Sequence, residues 1–89
     1  MVYIMDKKFH LKLYSTEYCE LCESALELVL TISVSREVSL EVVDISYDEY
    51  LIAKYGQYIP VLSIEYSTEY QELRWPFGAC DIERALSVS

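Results

Sequence analysis

Apolar and polar residues alternate along residues 10–15, where Leu11 and Leu13 are separated by Lys12 and Tyr14. Such alternation predicts a β-strand with one buried face. From residue 19 the period changes, and apolar positions fall three or four residues apart, as they do on one side of an α-helix. The positions on this stripe are Cys22, Ala25, Leu26, Val29 and Ile32. The β-branched residues and serines that follow weaken helix propensity, so we expect the helix to end near residue 34.

The sequence after residue 39 predicts a second strand and a second helix. Residues 40–45 form an apolar run with little interruption, which is typical of an inner parallel strand. Ser46 precedes Glu49 by three positions, which is the spacing of a capping box and predicts the start of a helix. That helix would extend through Tyr55, and Gly56 stands where a left-handed C-terminal cap is expected.

The C-terminal part of the chain predicts a hairpin and a last helix. Residues 61–66 and 70–75 flank a short polar turn, which favours two antiparallel strands. Residues 81–86 can form a short helix, so the full order is β-α-β-α-β-β-α. A β-α-β start implies parallel strands joined by a right-handed crossover. The sequence therefore predicts a single α/β domain over residues 1–89, with a four-stranded mixed sheet flanked by helices.

The composition narrows the choice of partners. Apolar residues make up 53% of the 89 residues, which is enough for a compact core, and the formal net charge is −8. An acidic surface does not attract phosphate backbones or anionic lipids, so we expect neither nucleic acid nor a membrane as partner. The acidic residues are spread along the chain, which favours a solvated surface around a monomer. The alternative is a charged filter that repels acidic thiols such as glutathione and favours basic partners.

No segment predicts export or membrane insertion. The apolar stretch at residues 1–5 is too short for a signal peptide, and Lys7 and Lys8 follow it instead of preceding it. No apolar run approaches the ~20 residues that a membrane helix needs. We therefore expect a cytoplasmic protein, in which disulfides are usually transient and catalytic. The odd count of three cysteines also argues against a secreted protein whose fold is stabilised by disulfides.

Two cysteines three positions apart, Cys19 and Cys22, lie where the first predicted strand gives way to the first predicted helix. The free N–H groups and the positive end of the helix dipole would stabilise a thiolate on Cys19. Cys22 would then be near enough to attack a mixed disulfide formed at Cys19. A CxxC followed by a helix inside a β-α-β unit is more specific than a CxxC alone.

Two other interpretations of the pair stay open. Cys22 lies on the apolar stripe of the helix, so both thiols could be small packing residues. A zinc site normally needs four ligands. The remaining soft candidates, His10 and Cys80, show no ligand spacing, so we predict no metal ligands. For Cys80 we favour packing beneath the last helix, because a free cysteine behaves as a small buried hydrophobe.

Three stretches of the chain carry a resemblance to a known family. LYSTEYCELC resembles the glutaredoxins, a branch of the thioredoxin fold, in which a strand runs into Tyr-Ser and then a CxxC. YIPVL resembles the place where that fold carries a cis-proline before its third strand, which makes Ile59–Pro60 the candidate. FGACDIERAL is similar to the Gly-Gly-x-Asp stretch before the last helix of glutaredoxins. LRWPF is similar to small bacterial glutaredoxin-like proteins, and the whole resemblance covers residues 10–87.

The resemblance implies a thioredoxin-like fold and a thiol–disulfide oxidoreductase. Cys19 would attack a disulfide, and Cys22 would resolve the mixed disulfide. The backbone of Ile59 would pair with an extended thiol substrate, and Asp81 would hold the amino group of glutathione. The substrate-binding residues that the resemblance implies are Tyr18, Ile59, Pro60 and Asp81. It implies no bound cofactor. The expected partners are disulfide-containing proteins or small thiols, with a reductase or glutathione as electron donor and glutathione as a candidate co-substrate.

The chain also departs from the glutaredoxin pattern around the first cysteine. Thr16 stands where glutaredoxins often have a lysine that helps to hold the glutathione carboxylate, and Glu17 stands where they often have a proline. Glu20 and Leu21 replace the usual Pro-Tyr or Pro-Phe between the cysteines. The two carboxylates beside Cys19 disfavour a thiolate there, because like charges repel.

Two further alternatives follow from these departures. Some glutaredoxins hold a cluster between two chains through the first cysteine and glutathione, and Glu20 together with the missing lysine disfavours that arrangement here. The other alternative is a redox-inactive binding module of the thioredoxin fold, which would hold an extended peptide near Pro60 with both thiols idle.

Overall fold

The computed structural model describes residues 9–34 and 36–87. Residues 1–8, whose pattern argues against a signal peptide, lie outside the described residues. Strands and helices follow one another in the predicted order. They are β1 (Phe9–Ser15), α1 (Glu20–Ser33), β2 (Val38–Asp44), α2 (Glu49–Tyr55), β3 (Val61–Tyr66), β4 (Glu69–Arg74) and α3 (Ala79–Ala85), with a 3₁₀ turn (Ile45–Tyr47) between β2 and α2.

The sheet is mixed, as predicted. Its strand order is β2-β1-β3-β4. β1 and β2 are parallel, whereas β3 is antiparallel to both β1 and β4. The prediction of an inner position for the second strand is wrong, because β2 lies at an edge of the sheet that the described residues form. Its apolar run is accordingly covered only in part, and Val42 stays about half exposed.

One face of the sheet packs against α1 and α3. Alternate residues of the two central strands are buried there, which confirms the predicted alternation, and the buried positions of α1 confirm the predicted stripe. We call this side the apolar face. Its buried residues are Phe9, Leu11, Leu13, Ala25, Val29, Ile32, Val38, Leu62, Ile64, Phe77, Ile82, Ala85 and Leu86. Because every strand and two helices contribute contacts, this cluster is the main source of stability.

The opposite side of the sheet, which we call the tyrosine face, packs against α2. Its buried cluster is smaller and consists of Ile45, Tyr55 and Val61. The ring of Tyr55 stacks on Tyr14, with ring centroids 4.3 Å apart. The Tyr55 hydroxyl donates a hydrogen bond to the carboxylate of Glu72 on β4, and the Tyr70 hydroxyl donates to the same oxygen at 2.7 Å. This face therefore combines apolar packing with a hydrogen-bonded acid.

The hydrogen-bonded acid and phenols of the tyrosine face shift one another's pKa values. Burial raises the pKa of Tyr55, and the hydrogen bond to Glu72 raises it further. For Glu72, burial acts to raise the pKa, but hydrogen bonds from Tyr55 and Tyr70 and the charges of Lys54 and Arg74 outweigh it. The pKa of Glu72 is therefore lowered. At neutral pH the carboxylate is charged and the phenols are neutral.

Both predictions about the ends of the second helix are wrong. Asp48, not Ser46, caps α2: its carboxylate accepts two backbone N–H groups of the first turn, at 2.9 and 3.2 Å, and Ser46 lies in the 3₁₀ turn. Gly56 has φ −53° and ψ −34°, which is right-handed backbone. A glycine suits this position because a Cβ would lie 2.5 Å from the carbonyl oxygen of Ile52.

Candidate active site

The candidate site lies at one end of the sheet, where β1 and β2 finish side by side and β3 begins. Tyr14, near the end of β1, pairs with Val61, the first residue of β3. The loop that leads into α1 and the segment that precedes β3 therefore leave the sheet at the same end. We call it the site end. It places Cys19 and Pro60, which are far apart in sequence, on neighbouring connections.

Cys19 is the N-cap residue of α1, which agrees with its predicted place in the turn between the first strand and the first helix. Its backbone is extended, with φ −111° and ψ 105°. Its sulfur accepts the backbone N–H of Cys22, with a donor–acceptor distance of 3.1 Å. The sulfur thus occupies the position where a helix has free N–H groups and a positive dipole end. The helix end favours a negative charge on this atom, whereas the neighbouring carboxylates of Glu17 and Glu20 oppose it.

The two cysteines of the CxxC motif are joined by a disulfide, and their Cα atoms are 5.2 Å apart. A separation of about 4.4–6.8 Å is usual for disulfides, so the backbone of the α1 start suits the bond. Only 4% of Cys22 is exposed, whereas Cys19 is half-buried. Of the two sulfurs, that of Cys19 is the one a partner can approach from solvent.

The peptide bond between Ile59 and Pro60, the candidate that the resemblance named, is cis. Pro60 is buried, and the segment before it is tied to α2, because the N–H groups of Tyr58 and Ile59 donate to the carbonyl of Tyr55 at 2.8 and 3.1 Å. The Ile59 N–H is therefore already paired. Within residues 9–34 and 36–87, no backbone N–H donates to the Ile59 carbonyl, so this oxygen has no backbone partner in that part of the chain.

Tyr18 immediately precedes the first cysteine and packs on nothing. Its φ is 58°, in the left-handed region that bulky residues rarely adopt. Its side chain is 97% exposed. The ring is therefore exposed to solvent at the residue next to Cys19 and does not form the wall of a closed groove.

Asp81 lies in the first turn of α3, at the site end. Its carboxylate accepts the backbone N–H of Gly78 at 2.7 Å and lies 3.7 Å from the guanidinium of Arg84. These contacts cap the helix. A role of Asp81 towards glutathione stays a prediction.

The third cysteine does not pack beneath the last helix. Cys80 is exposed, because the buried positions of α3 are Ile82 and Ala85. The prediction of a packing role for Cys80 is therefore wrong. Among the residues that the structure describes, no group of three or more His, Cys, Asp or Glu side chains is arranged to hold a metal ion. Of the helices in the same ranges, none combines the length and the apolar character that crossing a bilayer requires.

The sequence reasoning missed that two acidic segments meet at the site end. The hydroxyl groups of Thr16 and Ser46 lie 2.7 Å apart, and this hydrogen bond joins the loop before α1 to the 3₁₀ turn. Hydrogen bonds from the side chain and the backbone N–H of Ser46 hold the pKa of Asp44 below its usual value. The predicted parallel pairing of the first two strands indicates this meeting, since the carboxyl ends of two parallel strands must lie at the same end of a sheet.

The comparison with protein families gives one match. The family described as Glutaredoxin-like domain (DUF836) matches residues 10–87. No curated protein matches the chain. Among solved structures, the protein XcR50 from X. campestris is 30% identical, with a TM-score of 0.72. The alignment covers 89% of this chain and 97% of that one.

Thioredoxins are similar in fold at lower identity. A mutant thioredoxin from Halobacterium salinarum NRC-1 is 17% identical with a TM-score of 0.72, covering 91% of this chain and 74% of that one. Thioredoxin O2 from Arabidopsis thaliana, in the oxidized state, is 15% identical with a TM-score of 0.69. The alignment covers 90% of this chain and 73% of that one. The predicted thioredoxin-like fold is confirmed.

Proposed function

This chain belongs to the family of glutaredoxin-like domains, and from that premise we propose that it is a thiol–disulfide oxidoreductase. The observation that carries the proposal is the position of the Cys19 sulfur. It caps α1, accepts the N–H of Cys22 and lies within bonding reach of the Cys22 sulfur. The Cys19 residue is thus partly exposed at the start of α1, and Cys22, to which it is bonded, is buried.

In the first step, the reduced protein forms a mixed disulfide with its substrate. The Cys19 thiolate attacks one sulfur of the substrate disulfide, and the bond between the two substrate sulfurs breaks. The departing sulfur leaves with the electron pair and takes up a proton. Cys19 is then bonded to the other substrate sulfur. The helix end favours this step because it stabilises the thiolate form of Cys19.

In the second step, Cys22 resolves the mixed disulfide. Its thiol loses a proton, and its sulfur attacks the sulfur of Cys19. The remaining substrate sulfur leaves with the electron pair and is protonated. The protein is now oxidised by two electrons to the Cys19–Cys22 disulfide, and the substrate is reduced to two thiols. A thiol reductant, either glutathione or a reductase, returns the two electrons and begins the next cycle.

The segment before Pro60 would orient the substrate. Pro60 has no N–H, so it cannot compete for an acceptor of the bound strand. The Ile59 carbonyl is open among the described residues and would accept an N–H from an extended substrate beside Cys19. This contact would hold the substrate backbone while Tyr18 lies against its flank.

Cysteine variants test the proposal. Replacing Cys19 by serine (Cys19→Ser) should reduce disulfide reductase turnover by about a thousandfold or more, because the attacking sulfur is removed. In Cys22→Ser the first step survives, so intact mass should show the protein carrying one substrate sulfur group. Cys80→Ser is the matched control and should keep wild-type turnover. Full turnover in Cys19→Ser would contradict the mechanism.

The open Ile59 carbonyl also supports the rival function, a redox-inactive module that holds an extended peptide near Pro60. The two functions give different results in one pair of variants. For the rival, Pro60→Ala abolishes peptide binding while Cys19→Ser changes neither binding nor any downstream activity.

A further inference from the structure

We propose that the substrate of Cys19 is a disulfide carried on a basic, extended polypeptide segment. It would dock on residues 17–20 and 44–49, which together we call the acidic–tyrosine surface. This inference rests on the proposed function and names the class of its substrate. It follows from the fold, which brings residues 17–20 and 44–49 together although they are far apart in sequence.

The two segments of the acidic–tyrosine surface form one continuous patch. Ser15 pairs with Asp44 where β1 and β2 end, so the chain continues from adjacent strands into both segments. Residues 17–20 contain Cys19 and lead into α1, while residues 44–49 form the 3₁₀ turn and begin α2. The hydrogen bond between the hydroxyls of Thr16 and Ser46, 2.7 Å long, ties the segments together.

The acidic–tyrosine surface concentrates negative charge beside the reactive sulfur. Its ten positions hold five of the fifteen acidic residues of the chain and no lysine or arginine. The five are Glu17, Glu20, Asp44, Asp48 and Glu49. The salt bridges found within residues 9–34 and 36–87 join Arg36 to Glu83 and Arg84 to Asp81, so neither neutralises this surface.

The basic side chains of the neighbouring α2 and β4 are already engaged. Lys54 lies over the ring of Tyr55, with its nitrogen 5.1 Å from the ring centroid. Arg74 lies over the ring of Tyr58 at 4.0 Å. Both cations also attract Glu72 on the tyrosine face. Glu72 thus offsets part of their charge, and among the described residues neither cation forms a salt bridge with a carboxylate of the acidic–tyrosine surface.

Exposed aromatic rings give the same surface an affinity for polypeptide. Tyr18 is 97% exposed beside Cys19, and Tyr47 in the 3₁₀ turn is 86% exposed. Rings that face water provide apolar contact area and a platform for lysine or arginine side chains, which are attracted to the π-face. Aromatic rings interspersed with carboxylates therefore fit a segment rich in basic residues.

The same negative charges make glutathione a poorer substrate than a basic polypeptide. Glutathione carries one more carboxylate than ammonium at neutral pH, so the acidic surface repels it. Thr16 also stands where glutaredoxins often have the lysine that helps to hold the glutathione carboxylate. A basic polypeptide gains from the field that glutathione must overcome, because long-range attraction raises the rate of encounter.

A single-turnover experiment tests the inference without any electron donor. The reduced protein is mixed with a synthetic peptide whose disulfide-bonded cysteines are flanked by lysines. In a separate reaction it is mixed with the same peptide in which glutamates replace those lysines. After acid quenching, intact mass reports the rate at which the Cys19–Cys22 disulfide forms. At low salt the lysine peptide should react about tenfold faster. At about 0.5 M salt the two rates should converge, because surface charges are then screened. Equal rates at low salt would overturn the inference.

Charge-reversal variants locate the effect. Glu17→Lys combined with Glu49→Lys changes two exposed residues of the acidic–tyrosine surface whose side chains form no helix cap. It should remove the preference for the lysine peptide. The matched control, Glu37→Lys with Glu69→Lys, changes the net charge equally at the far end of the sheet and should keep the preference. An equal loss in both double variants would assign the effect to net charge and contradict docking at this surface.

Two further measurements separate this inference from the proposed function. Reduction of a small uncharged disulfide reports redox activity without charge selection. If that reaction proceeds and the two peptides react equally, the oxidoreductase stands and the basic substrate is wrong. The second measurement uses the same two peptides with serines in place of their cysteines. Fluorescence anisotropy then measures their binding, which reports docking alone. Tighter binding of the lysine peptide without any turnover would support the surface and contradict the oxidoreductase.

Discussion

The two faces of the sheet support the two halves of the candidate site by different means. The apolar face holds α1, whose first turn carries the CxxC motif, through side chains that exclude water. The tyrosine face holds the segment before Pro60, through a small apolar cluster and through hydrogen bonds centred on Glu72. Cys19 and the segment before Pro60 therefore have separate supports.

The two supports differ in how they respond to change. Apolar packing is insensitive to pH and is weakened mainly by cavities. The Glu72 network depends on a charged carboxylate and neutral phenols, so pH and hydroxyl removal both act on it. We therefore expect that damage to the tyrosine face loosens the segment before Pro60 and spares the disulfide, whereas damage to the apolar face affects both.

The largest expected effect is on the apolar face. Leu13 is fully buried at the centre of β1, so Leu13→Ala should lower the free energy of unfolding by about 2–5 kcal/mol through lost contacts and a cavity. Urea unfolding measures this change. Leu30→Ala on α1 is the control, since Leu30 is about half exposed, and should cost only ~0.5 kcal/mol. Similar costs for both variants would contradict the assignment of the core.

A smaller and more selective effect is expected on the tyrosine face. Tyr55→Phe keeps the ring that stacks on Tyr14 and removes the hydroxyl that binds Glu72, so it should cost about 1 kcal/mol. The Ile59 amide, which donates to the Tyr55 carbonyl, should exchange its hydrogen faster. KM for a disulfide peptide should rise several-fold, while the potential of the Cys19–Cys22 pair stays unchanged.

The control for this variant is Tyr50→Phe, because Tyr50 lies on the same helix and is exposed. It should change neither stability nor KM. If Tyr55→Phe shifts the potential of the cysteine pair as much as it changes KM, the two faces do not act separately.

The smallest effect is the pH dependence of the tyrosine face. The folded protein raises the pKa of Tyr55, so this group contributes stability that is present below the pKa of a free tyrosine, about 10, and is lost as the pH rises above it. The folded protein lowers the pKa of Glu72, so its contribution is present above the pKa of a free glutamate, about 4.3, and is lost as the pH falls through the folded value.

Unfolding measured across pH tests this sign. The stability difference between wild type and Tyr55→Phe should be largest near neutral pH and should shrink above about pH 10. A difference that grows in alkali would mean that Tyr55 ionises more easily in the folded protein, and would contradict the network.

The parts of the site that sequence could predict are those with a local signal. The CxxC motif directly precedes a run with helical spacing, so the place of Cys19 in the turn before α1 follows from adjacent residues. The alternation around Leu11 and Leu13 marks the face that is buried. The cis bond before Pro60 came from the resemblance to the thioredoxin fold and not from periodicity, because any X-Pro sequence permits both isomers.

The parts that sequence could not predict depend on which elements become neighbours. The edge position of β2 is set by strand order, and an apolar run alone does not distinguish an edge from a centre. Tyr55 and Glu72 lie on α2 and β4, and nothing in either local pattern indicates their hydrogen bond. For the start of α2, Ser46 and Asp48 are both good caps, and the 3₁₀ turn decides between them by occupying Ser46.

The central claim is that Cys19 and Cys22 cycle between thiols and a disulfide, and a redox titration of the purified protein tests it most directly. The protein is equilibrated in buffers of defined thiol–disulfide ratio, and intact mass with cysteine mapping reports the fraction oxidised. The account predicts a reversible Cys19–Cys22 disulfide with a midpoint between about −180 and −290 mV, the range of glutaredoxins and thioredoxins. Thiols that stay unpaired throughout this range, or a disulfide that involves Cys80 instead, would contradict it.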